Sequence, residues 1–147
     1  TNAWSIVRTV LVYGKSNGDR LNIVTNVAKG LKEGKQLKIF SDQMRTPTYV
    51  EDLALGIVAL IDKKAVGIYH ISGEEKYSPY EMAVTVAKYL GYDANLVQNV
   101  VEKDFHQPAR RPPKTGFDLS KAKRDLNYQP ISFYEGLKKT FSEIKHG

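Results

Sequence analysis

One stretch near the start of the chain limits the folds that it can adopt. Residues 4–14, WSIVRTVLVYG, are almost continuously β-branched or apolar and end on Gly14. A strand that is buried on both faces in a parallel sheet has this composition. Such strands usually lie in the middle of a sheet. Because the stretch follows only three residues and no initiator methionine, we expect the chain to be the later part of a longer protein.

Helices with clear start and stop signals follow this strand. Three of them open on a Ser/Thr-x-x-Glu capping box, at residues 48–51, 78–81 and 132–135, in which a side chain and the backbone satisfy each other's free donors. A fourth helix, over residues 23–31, is ended by Gly34. In the helix after residue 48, the apolar spacing predicts a buried stripe of Val50, Leu53, Ala54, Ile57 and Ile61.

Short strands alternate with these helices, at residues 35–40 and 67–72. The alternation predicts an α/β fold. The chain has 147 residues, of which 41% are hydrophobic, and this size suits one globular domain, residues 1–147, better than two.

Charge and composition narrow the functional classes. The net charge of +6 favours an anionic ligand, but the cations are scattered, which argues against a nucleic-acid partner. No apolar run reaches the roughly 20 residues of a membrane span, and no leader sequence opens the chain. There are no cysteines. We therefore expect a cytoplasmic protein with no membrane partner.

Several apparent motifs do not hold up. Residues 14–16, GKS, resemble the end of a phosphate-binding loop, but Thr9 stands where that motif needs a glycine. Tyr134 and Lys138 have the spacing of a dehydrogenase Tyr/Lys pair, but they lie on the last amphipathic helix and are interpreted as a surface pair. His70 lies in a predicted strand between Tyr69 and Ile71 and is interpreted as a packed, hydrogen-bonded residue, and His106 and His146 have no partners at ligand spacing, so no metal site is predicted.

The segment SDQMRTPT, residues 41–48, is a candidate ligand site on chemical grounds. It gathers hydroxyls and a helix N-terminus at one place, which suits the binding of sugar hydroxyls. The predicted contacts are Asp42, Gln43, Thr46 and Thr48. The alternative is that Thr48 only caps its helix and that Asp42 only makes a turn.

Two adjacent arginines lie between prolines in PARRPPK, residues 108–114. Guanidinium groups hold diphosphates through paired, charge-assisted hydrogen bonds, and the prolines restrict the loop before a ligand binds. We therefore predict that Arg110 or Arg111 binds a pyrophosphate group. The alternative is that one arginine pairs with a carboxylate such as Asp104 or Asp118 while the other is solvated.

Four segments together carry a resemblance to a known family. In order they are VRTVLVYG, SDQMRTPTYVEDLALGIVAL, GIYHISGEEKYSPYEMA and ARRPPKTGFDLSKAKRDL. They resemble the C-terminal half of the extended short-chain dehydrogenase/reductases that act on nucleotide sugars, and within these the dTDP-4-dehydrorhamnose reductase branch. The resemblance implies the C-terminal part of a Rossmann-type NAD(P)-binding fold, together with the small domain that binds the nucleotide sugar.

The same resemblance implies what this chain does not contain. In the family, a glycine-rich turn binds NAD(P) and a Tyr-x-x-x-Lys helix is catalytic, and both precede the first strand seen here. No catalytic residue is therefore expected in this chain, and the chain alone is expected to bind no NAD(P). By resemblance, Thr9, Val10 and Leu11 lie at the nicotinamide end of the cofactor.

Partners and alternatives follow from the resemblance too. The expected partners are a nucleotide sugar and the N-terminal half of the same protein, with self-association of the isolated chain through open strand edges. Leu11 stands where several rhamnose-pathway reductases have an aromatic residue in the sugar pocket, so another nucleotide sugar or an epimerase reaction stays open. A non-catalytic interaction subunit with the same fold is the other alternative.

Overall fold

The computed structural model describes residues 3–101, 103 and 112–142, and strands alternate with helices in this part of the chain. The strands are β1 (Ser5–Arg8), β2 (Val12–Tyr13), β3 (Leu37–Phe40), β4 (Thr48–Tyr49), β5 (Gly67–His70) and β6 (Val97–Val100). The helices are α1 (Ile23–Lys32), α2 (Val50–Asp62), α3 (Pro79–Leu90), α4 (Ser120–Leu126) and α5 (Phe133–Thr140). None of the helices in these residues is long and apolar enough to cross a membrane.

The strands form three parallel pairs, β1 with β5, β2 with β4, and β3 with β6. Helix α1 lies in the chain between β2 and β3, and α2 lies between β4 and β5. Parallel strands joined through helices are the signature of an α/β fold. The predicted fold class is therefore confirmed.

The buried side chains form two clusters. The first cluster joins α1, α3 and α5 and contains, among its buried members, Val24, Val27, Met82, Val86, Phe133, Leu137 and Phe141. The second cluster joins α2, β5 and α4 and consists of Leu60, Tyr69, Ile71, Leu119, Ala122, Leu126 and Tyr128.

The opening stretch differs from its prediction as one doubly buried strand. It is divided into β1 and β2 at Leu11, whose φ of 44° is incompatible with an extended strand. One face of β1 and β5 carries Val7 and Tyr69 into the second cluster. On the opposite face Ile6 is 49% exposed, because no described residue covers that face.

The predicted stripe of α2 is also wrong. Val50, Ile57 and Ile61 are exposed, as is Ala54, and Leu53 is only partly buried. The buried positions are Asp52, Gly56 and Leu60. Gly56 lies against Ile71 and Tyr128, so the helix approaches the second cluster through its smallest residue. Because α2 is apolar on nearly all sides, the spacing of its apolar residues does not identify the buried face.

The helix starts confirm two of the three predicted capping residues. Ser78 accepts a hydrogen bond from the Glu81 amide, and the Glu81 carboxylate accepts one from the Ser78 amide. Ser132 caps α5 by accepting a hydrogen bond from the Glu135 amide, whereas the Glu135 carboxylate accepts one from Lys138. Thr48 does not cap α2, which begins after Tyr49 without a side-chain cap. Thr48 lies in β4, and its hydroxyl forms hydrogen bonds with other segments.

Candidate functional site

A cleft of about 620 Å³ lies between the segment around Thr46, the turn that precedes α3, and the segment that leads into α4. Its lining contains five charged side chains, three hydroxyl-bearing side chains and three large apolar side chains. The lining residues are Met44, Thr46, Glu74, Lys76, residues 114–120 and Lys123.

Backbone hydrogen bonds fix the walls of the cleft to one another. The Met44 amide donates to Pro113 O at 2.7 Å, and the Thr115 amide donates to Met44 O at 3.0 Å. On the other side, Arg45 and Tyr77 exchange two backbone bonds, each of 2.8 Å. Residues 44–45 thus pair with both flanking segments, as the middle strand of a small sheet does.

Thr48 secures the base of this arrangement. Its hydroxyl donates to Val10 O at 2.6 Å and accepts a hydrogen bond from the Gly73 amide at 3.2 Å. Gly73 lies so close to the Pro47 carbonyl that any side chain at this position would collide with it. Thr48 is completely buried, so its role is to join three segments, and it does not contact the cleft.

Two buried polar atoms near the cleft have no hydrogen-bond partner among the described residues. They are the side-chain amide nitrogen of Gln43 and the hydroxyl of Thr46. The Gln43 carbonyl oxygen accepts a bond from the Arg45 guanidinium at 2.9 Å, which leaves its amide as the free end. A buried polar group without a partner costs roughly 1–3 kcal/mol. Thr46 lines the cleft, so a ligand or water hydroxyl there would relieve this cost.

The charged side chains of the cleft are unevenly paired. Lys123 forms an ion pair with Glu74. The Ser120 amide and hydroxyl donate to the Asp118 carboxylate, and these bonds lower the pKa of Asp118. Lys76 and Lys114 are exposed, and neither has an ion-pair partner within residues 3–101, 103 and 112–142. The cleft therefore presents two unpaired ammonium groups to a ligand.

The predicted sugar-binding residues separate into two groups. Thr46 lines the cleft, whereas Gln43 is buried and is not one of the lining residues. Thr48 is below the cleft and Asp42 is exposed outside its lining. Arg110 and Arg111, the predicted diphosphate ligands, lie outside the described residues.

Residues 9–11, which were expected to contact the cofactor, contribute in part to the stability of the fold. The carbonyls of Val10 and Leu11 accept hydrogen bonds from the Thr48 hydroxyl and amide. The side chain of Leu11 packs against the first cluster. Thr9 is exposed. These three residues do not line the cleft.

The Tyr134 and Lys138 spacing is a surface feature. Lys138 donates to the Glu135 carboxylate at 2.7 Å, and this bond raises the pKa of Lys138. Tyr134 is 48% exposed and packs edge-on against Tyr89. No group of acidic or histidine side chains in the described part of the chain could hold a metal ion.

Sequence reasoning missed most of the lining. It assigned the ligand contacts of the loop to its arginines, whereas residues 114–120, directly after them, form a wall of the cleft. The available signal was the turn glycine Gly116 followed by Asp118, which marks a change of chain direction before α4. Met44 and Lys76 gave no local signal, because they reach the cleft through pairing with segments distant in sequence.

Parallel strand pairs joined by helices, together with a cleft that Lys76 and Lys114 line, agree with the resemblance to the substrate-binding half of an extended short-chain dehydrogenase/reductase. Residues 1–146 match the family model of the RmlD substrate binding domain. The chain belongs to this family.

Solved structures agree with this assignment. The dTDP-4-dehydrorhamnose reductase of Bacillus anthracis, solved in complex with NADP, superposes with a TM-score of 0.84 at 32% identity, over 95% of this chain and 48% of that one. The UDP-glucuronic acid 4-epimerase of Bacillus cereus, solved with UDP-glucuronic acid and NAD, gives 0.75 at 28% identity, over 95% of this chain and 44% of that one.

Curated relatives are similar over a comparable region. A probable low-salt glycan biosynthesis reductase of Haloferax volcanii is 29% identical over 124 residues, which are 82% of this chain and 41% of that protein. The UDP-glucuronate 4-epimerase of Thermodesulfobacterium geofontis is 30% identical over 96% of this chain and 43% of that protein. The chain thus spans less than half the length of these relatives.

Proposed function

We propose that this chain, residues 1–147 as one domain, is the nucleotide-sugar-binding part of an NAD(P)-dependent reductase similar to dTDP-4-dehydrorhamnose reductase. The match to the RmlD substrate binding domain supports the binding role. The reductases among the similar proteins support the reaction. Because these relatives are about twice as long as the chain, the rest of the enzyme would come from the preceding half.

The observation that carries this proposal is the chemistry of the cleft. Lys76 and Lys114 present unpaired ammonium groups, which suit the negative charge of a diphosphate. The Thr46 hydroxyl is buried without a partner, and a sugar or ribose hydroxyl could bond to it. Arg110 or Arg111 would add a charge-assisted clamp on the diphosphate, because these residues precede the lining residue Lys114 by only four and three positions in the sequence.

Gln43 and Asp42 fill supporting roles in the proposal. The free amide nitrogen of Gln43 is a donor that could turn toward a ligand oxygen, since the other end of this amide is fixed by Arg45. Asp42 is exposed and would accept a bond from a sugar hydroxyl at the mouth of the cleft. Thr48 is not a ligand contact in this proposal, because its hydroxyl is already used twice.

The described residues fit one end of a dinucleotide at most. Thr9 is exposed and could meet the nicotinamide end, but the carbonyls of Val10 and Leu11 are occupied by Thr48. The reduced cofactor, NADH or NADPH, would supply the hydride in the full-length protein. This chain would bind and orient the nucleotide sugar and would contain no catalytic residue, so the isolated chain should bind no NADH or NADPH.

Titration calorimetry on the chain tests the proposal. We expect saturable binding of dTDP- or UDP-linked sugars and none of NADPH. The double variant Lys76→Ala with Lys114→Ala should bind the nucleotide sugar more weakly. The control is Lys35→Ala, whose amine pairs with Glu33 outside the cleft lining; it should bind like wild type.

In the full-length protein, Arg110→Ala or Arg111→Ala should weaken nucleotide-sugar binding tens- to hundreds-fold, about 2–4 kcal/mol, and leave NADPH affinity unchanged. Absence of nucleotide-sugar binding by the chain would refute the role of the cleft.

A 4-epimerase is the second candidate. It is favoured by the similarity to the Bacillus cereus enzyme, whose structure contains UDP-glucuronic acid and NAD. Competition between dTDP- and UDP-linked ligands separates the two candidates. Preference for a dTDP-sugar supports the reductase, and preference for a UDP-hexuronic acid supports the epimerase.

The exposed apolar face supports a macromolecular partner. Trp4, Ile61 and Val66 surround a shallow depression, and each is at least 50% exposed. In the full-length protein this face would pack against the preceding half. In the isolated chain a second copy would cover it, because an exposed apolar patch beside an unpaired strand edge favours association.

A further inference from the structure

The wall of the cleft at residues 74–76 is a short turn that is held at both of its ends. Before the turn, the Gly73 amide donates a hydrogen bond to the Thr48 hydroxyl at 3.2 Å. After the turn, Tyr77 exchanges two backbone hydrogen bonds with Arg45. Residues 74–76 take part in no backbone hydrogen bond within the described part of the chain. Side-chain contacts must therefore fix the conformation of the turn.

Glu75, the middle residue of the turn, contacts a helix outside the cleft. Glu74 and Lys76 both line the cleft, whereas Glu75 does not. The Glu75 carboxylate accepts a hydrogen bond from the backbone amide of Phe133 at 2.6 Å. Phe133 is the first residue of α5, where the helix dipole favours a negative charge. The bond thus joins the cleft wall to the start of a helix 58 residues further along the chain.

Phe133 is a firm point of attachment for the turn. Its side chain is only 2% exposed and belongs to the first cluster. Its ring contacts those of Tyr13 and Tyr77, with centroid distances of 5.1 and 4.9 Å. Glu75 itself is exposed, so burial does not oblige its carboxylate to find a partner. The hydrogen bond connects an exposed turn to the buried first cluster.

We propose that Glu75 is the positioning residue of this wall, because its bond to Phe133 holds the turn in the conformation that places Lys76 in the cleft. This inference rests on the proposed function, in which the Lys76 ammonium binds the diphosphate. Charge alone predicts the opposite effect for the removal of Glu75, since a carboxylate near the cleft repels an anionic ligand. A loss of affinity on removal of this carboxylate would therefore report the position of the turn.

Asp52 offers a matched control. Its carboxylate accepts a hydrogen bond from the Ile131 amide at 2.9 Å, so Asp52 and Glu75 hold neighbouring amides of the same segment. Asp52 lies on α2 and does not line the cleft. Loss of its bond should loosen the chain before α5 without moving the turn. If Glu75 had only a structural role, variants of the two carboxylates would affect ligand binding alike.

Calorimetry with dTDP and inorganic pyrophosphate tests the proposal. Glu75→Ala should weaken the binding of both ligands about three- to tenfold, which corresponds to the net value of one hydrogen bond. Glu75→Gln should bind at least as tightly as wild type, because its amide oxygen can still accept from Phe133 and the repelling charge is gone. Asp52→Ala should leave both affinities within about twofold. Urea unfolding of each variant checks that it is folded during the titration.

A double-mutant cycle assigns the effect to Lys76. In a Lys76→Ala background, Glu75→Ala should change the two affinities by less than about twofold, because the side chain that Glu75 positions is missing. An effect of full size in this background would overturn the proposal, since Glu75 would then act on the ligand by another route.

Amide hydrogen exchange follows the turn without a ligand. The Tyr77 amide donates to Arg45 O, and the Phe133 amide donates to Glu75. Glu75→Ala should therefore speed the exchange of both amides, because local opening of the turn becomes easier. Asp52→Ala should leave the Tyr77 amide unchanged. An unchanged Tyr77 amide in Glu75→Ala would show that the turn is held without Glu75 and would overturn the proposal.

The outcomes separate this inference from the proposed function. If the wild-type chain binds neither pyrophosphate, dTDP, UDP nor their sugars, the function proposed for the cleft fails, and the role of Glu75 fails with it. If the wild type binds dTDP and Glu75→Ala binds it at least as tightly, the cleft is a nucleotide site whose wall does not depend on Glu75. Equal losses of affinity in Glu75→Ala and Asp52→Ala would also overturn the inference, because they would show that Glu75 only stabilises the start of α5.

Discussion

The first and second clusters differ in how completely the chain covers them. In the first cluster, α1, α3 and α5 surround side chains such as Met82, Val86 and Leu137, each at most 1% exposed. The second cluster is buried on the side of α4, but α2 and β1 turn apolar side chains outward, with Leu55 at 66% and Ile61 at 65% exposed. The first cluster is covered on all sides, whereas the region of the second cluster leaves an apolar face of α2 and β1 exposed.

The contrast teaches which features of a sequence report on burial. In the first cluster, polar residues occupy the outer helix faces, so the apolar stripe and the buried stripe coincide. In α2, apolar residues occupy both the inner and the outer face. A helix of this kind is typically buried on all sides, which explains why its apolar spacing did not reveal the face it buries in this chain.

Truncation of a buried residue in the first cluster and of an exposed residue on α2 should give the largest difference in the free energy of unfolding. Leu137→Ala removes a completely buried side chain from the first cluster and should lower the free energy of unfolding by about 2–5 kcal/mol. Ile61→Ala, on the outer face of α2, should change it by no more than about 0.5 kcal/mol. Urea titrations followed by circular dichroism measure both. Similar losses for the two variants would show that the outer face of α2 is covered.

Self-association should depend on the exposed apolar depression around Trp4, Ile61 and Val66 and not on the surface of the first cluster. Ile61→Glu places a charge in the apolar depression beside Trp4 and Val66 and should weaken association at least about tenfold, because burying an unpaired charge is costly. Sedimentation velocity across micromolar concentrations measures this effect. Tyr134→Glu, at an exposed site on α5, is the control and should associate like wild type. A wild-type chain that is monomeric throughout would contradict the idea that a second copy covers this face.

A smaller effect is expected at the helix starts of the first cluster. Ser78→Ala removes both the cap of the Glu81 amide and the hydroxyl bond to its carboxylate and should cost about 0.5–2 kcal/mol of unfolding free energy. Ser132→Ala removes one capping bond from α5 and should cost less. Thermal or urea unfolding of both variants tests the order. A larger loss for Ser132→Ala would mean that α5 depends more on its cap than α3 does.

The smallest expected effect is a pH dependence of the free energy of unfolding that comes from Asp52, which joins α2 to the segment before α5. This carboxylate on α2 accepts a hydrogen bond from the Ile131 amide at 2.9 Å, just before α5. Burial raises the pKa of Asp52 above 3.8, although the Ile131 bond opposes the shift. The folded state therefore holds this proton more tightly than the unfolded state, and the contribution is lost as pH rises through the raised pKa.

The Asp52→Asn variant isolates that contribution, because the amide oxygen can still accept from Ile131. Between about pH 4 and about pH 7, the unfolding free energy of the wild type should fall relative to that of the variant. Taking the difference removes the opposite trend of carboxylates with lowered pKa, such as Asp118 and Asp125. A difference that does not change with pH would contradict the shift.

Local signals in the sequence were enough for the fold class and for most helices. Ser78 with Glu81 marked the start of α3, and Gly34, with a φ of 69°, followed the end of α1. The family was also recognisable, because its four segments occur in order. Strand β6 was missed, since Val97–Val100 contains Gln98 and Asn99 and has a strand pattern only once it is paired with β3.

The site was predictable to a smaller extent. Thr46 was predicted as a ligand contact from its position between hydroxyls and a helix start, and the structure places it in the wall of the cleft. Thr48 has local sequence surroundings similar to those of Thr46, but its hydroxyl is hydrogen-bonded to the Val10 carbonyl and to the Gly73 amide. Both partners come from segments distant in the chain, so no local pattern could separate the two threonines.

The pairing of residues 44–45 with both flanking segments bears on how such a cleft can diversify. These bonds join main-chain atoms, Met44 with Pro113 and Thr115, and Arg45 with Tyr77, so they do not depend on which side chains the residues carry. Single side chains of the lining can therefore be substituted while these main-chain hydrogen bonds are kept. Relatives at 28–32% identity superpose with TM-scores of 0.84 and 0.75, although the names of these relatives refer to different nucleotide sugars. If the cleft binds such a ligand, its side chains could change with the ligand while the backbone bonds between its walls are kept.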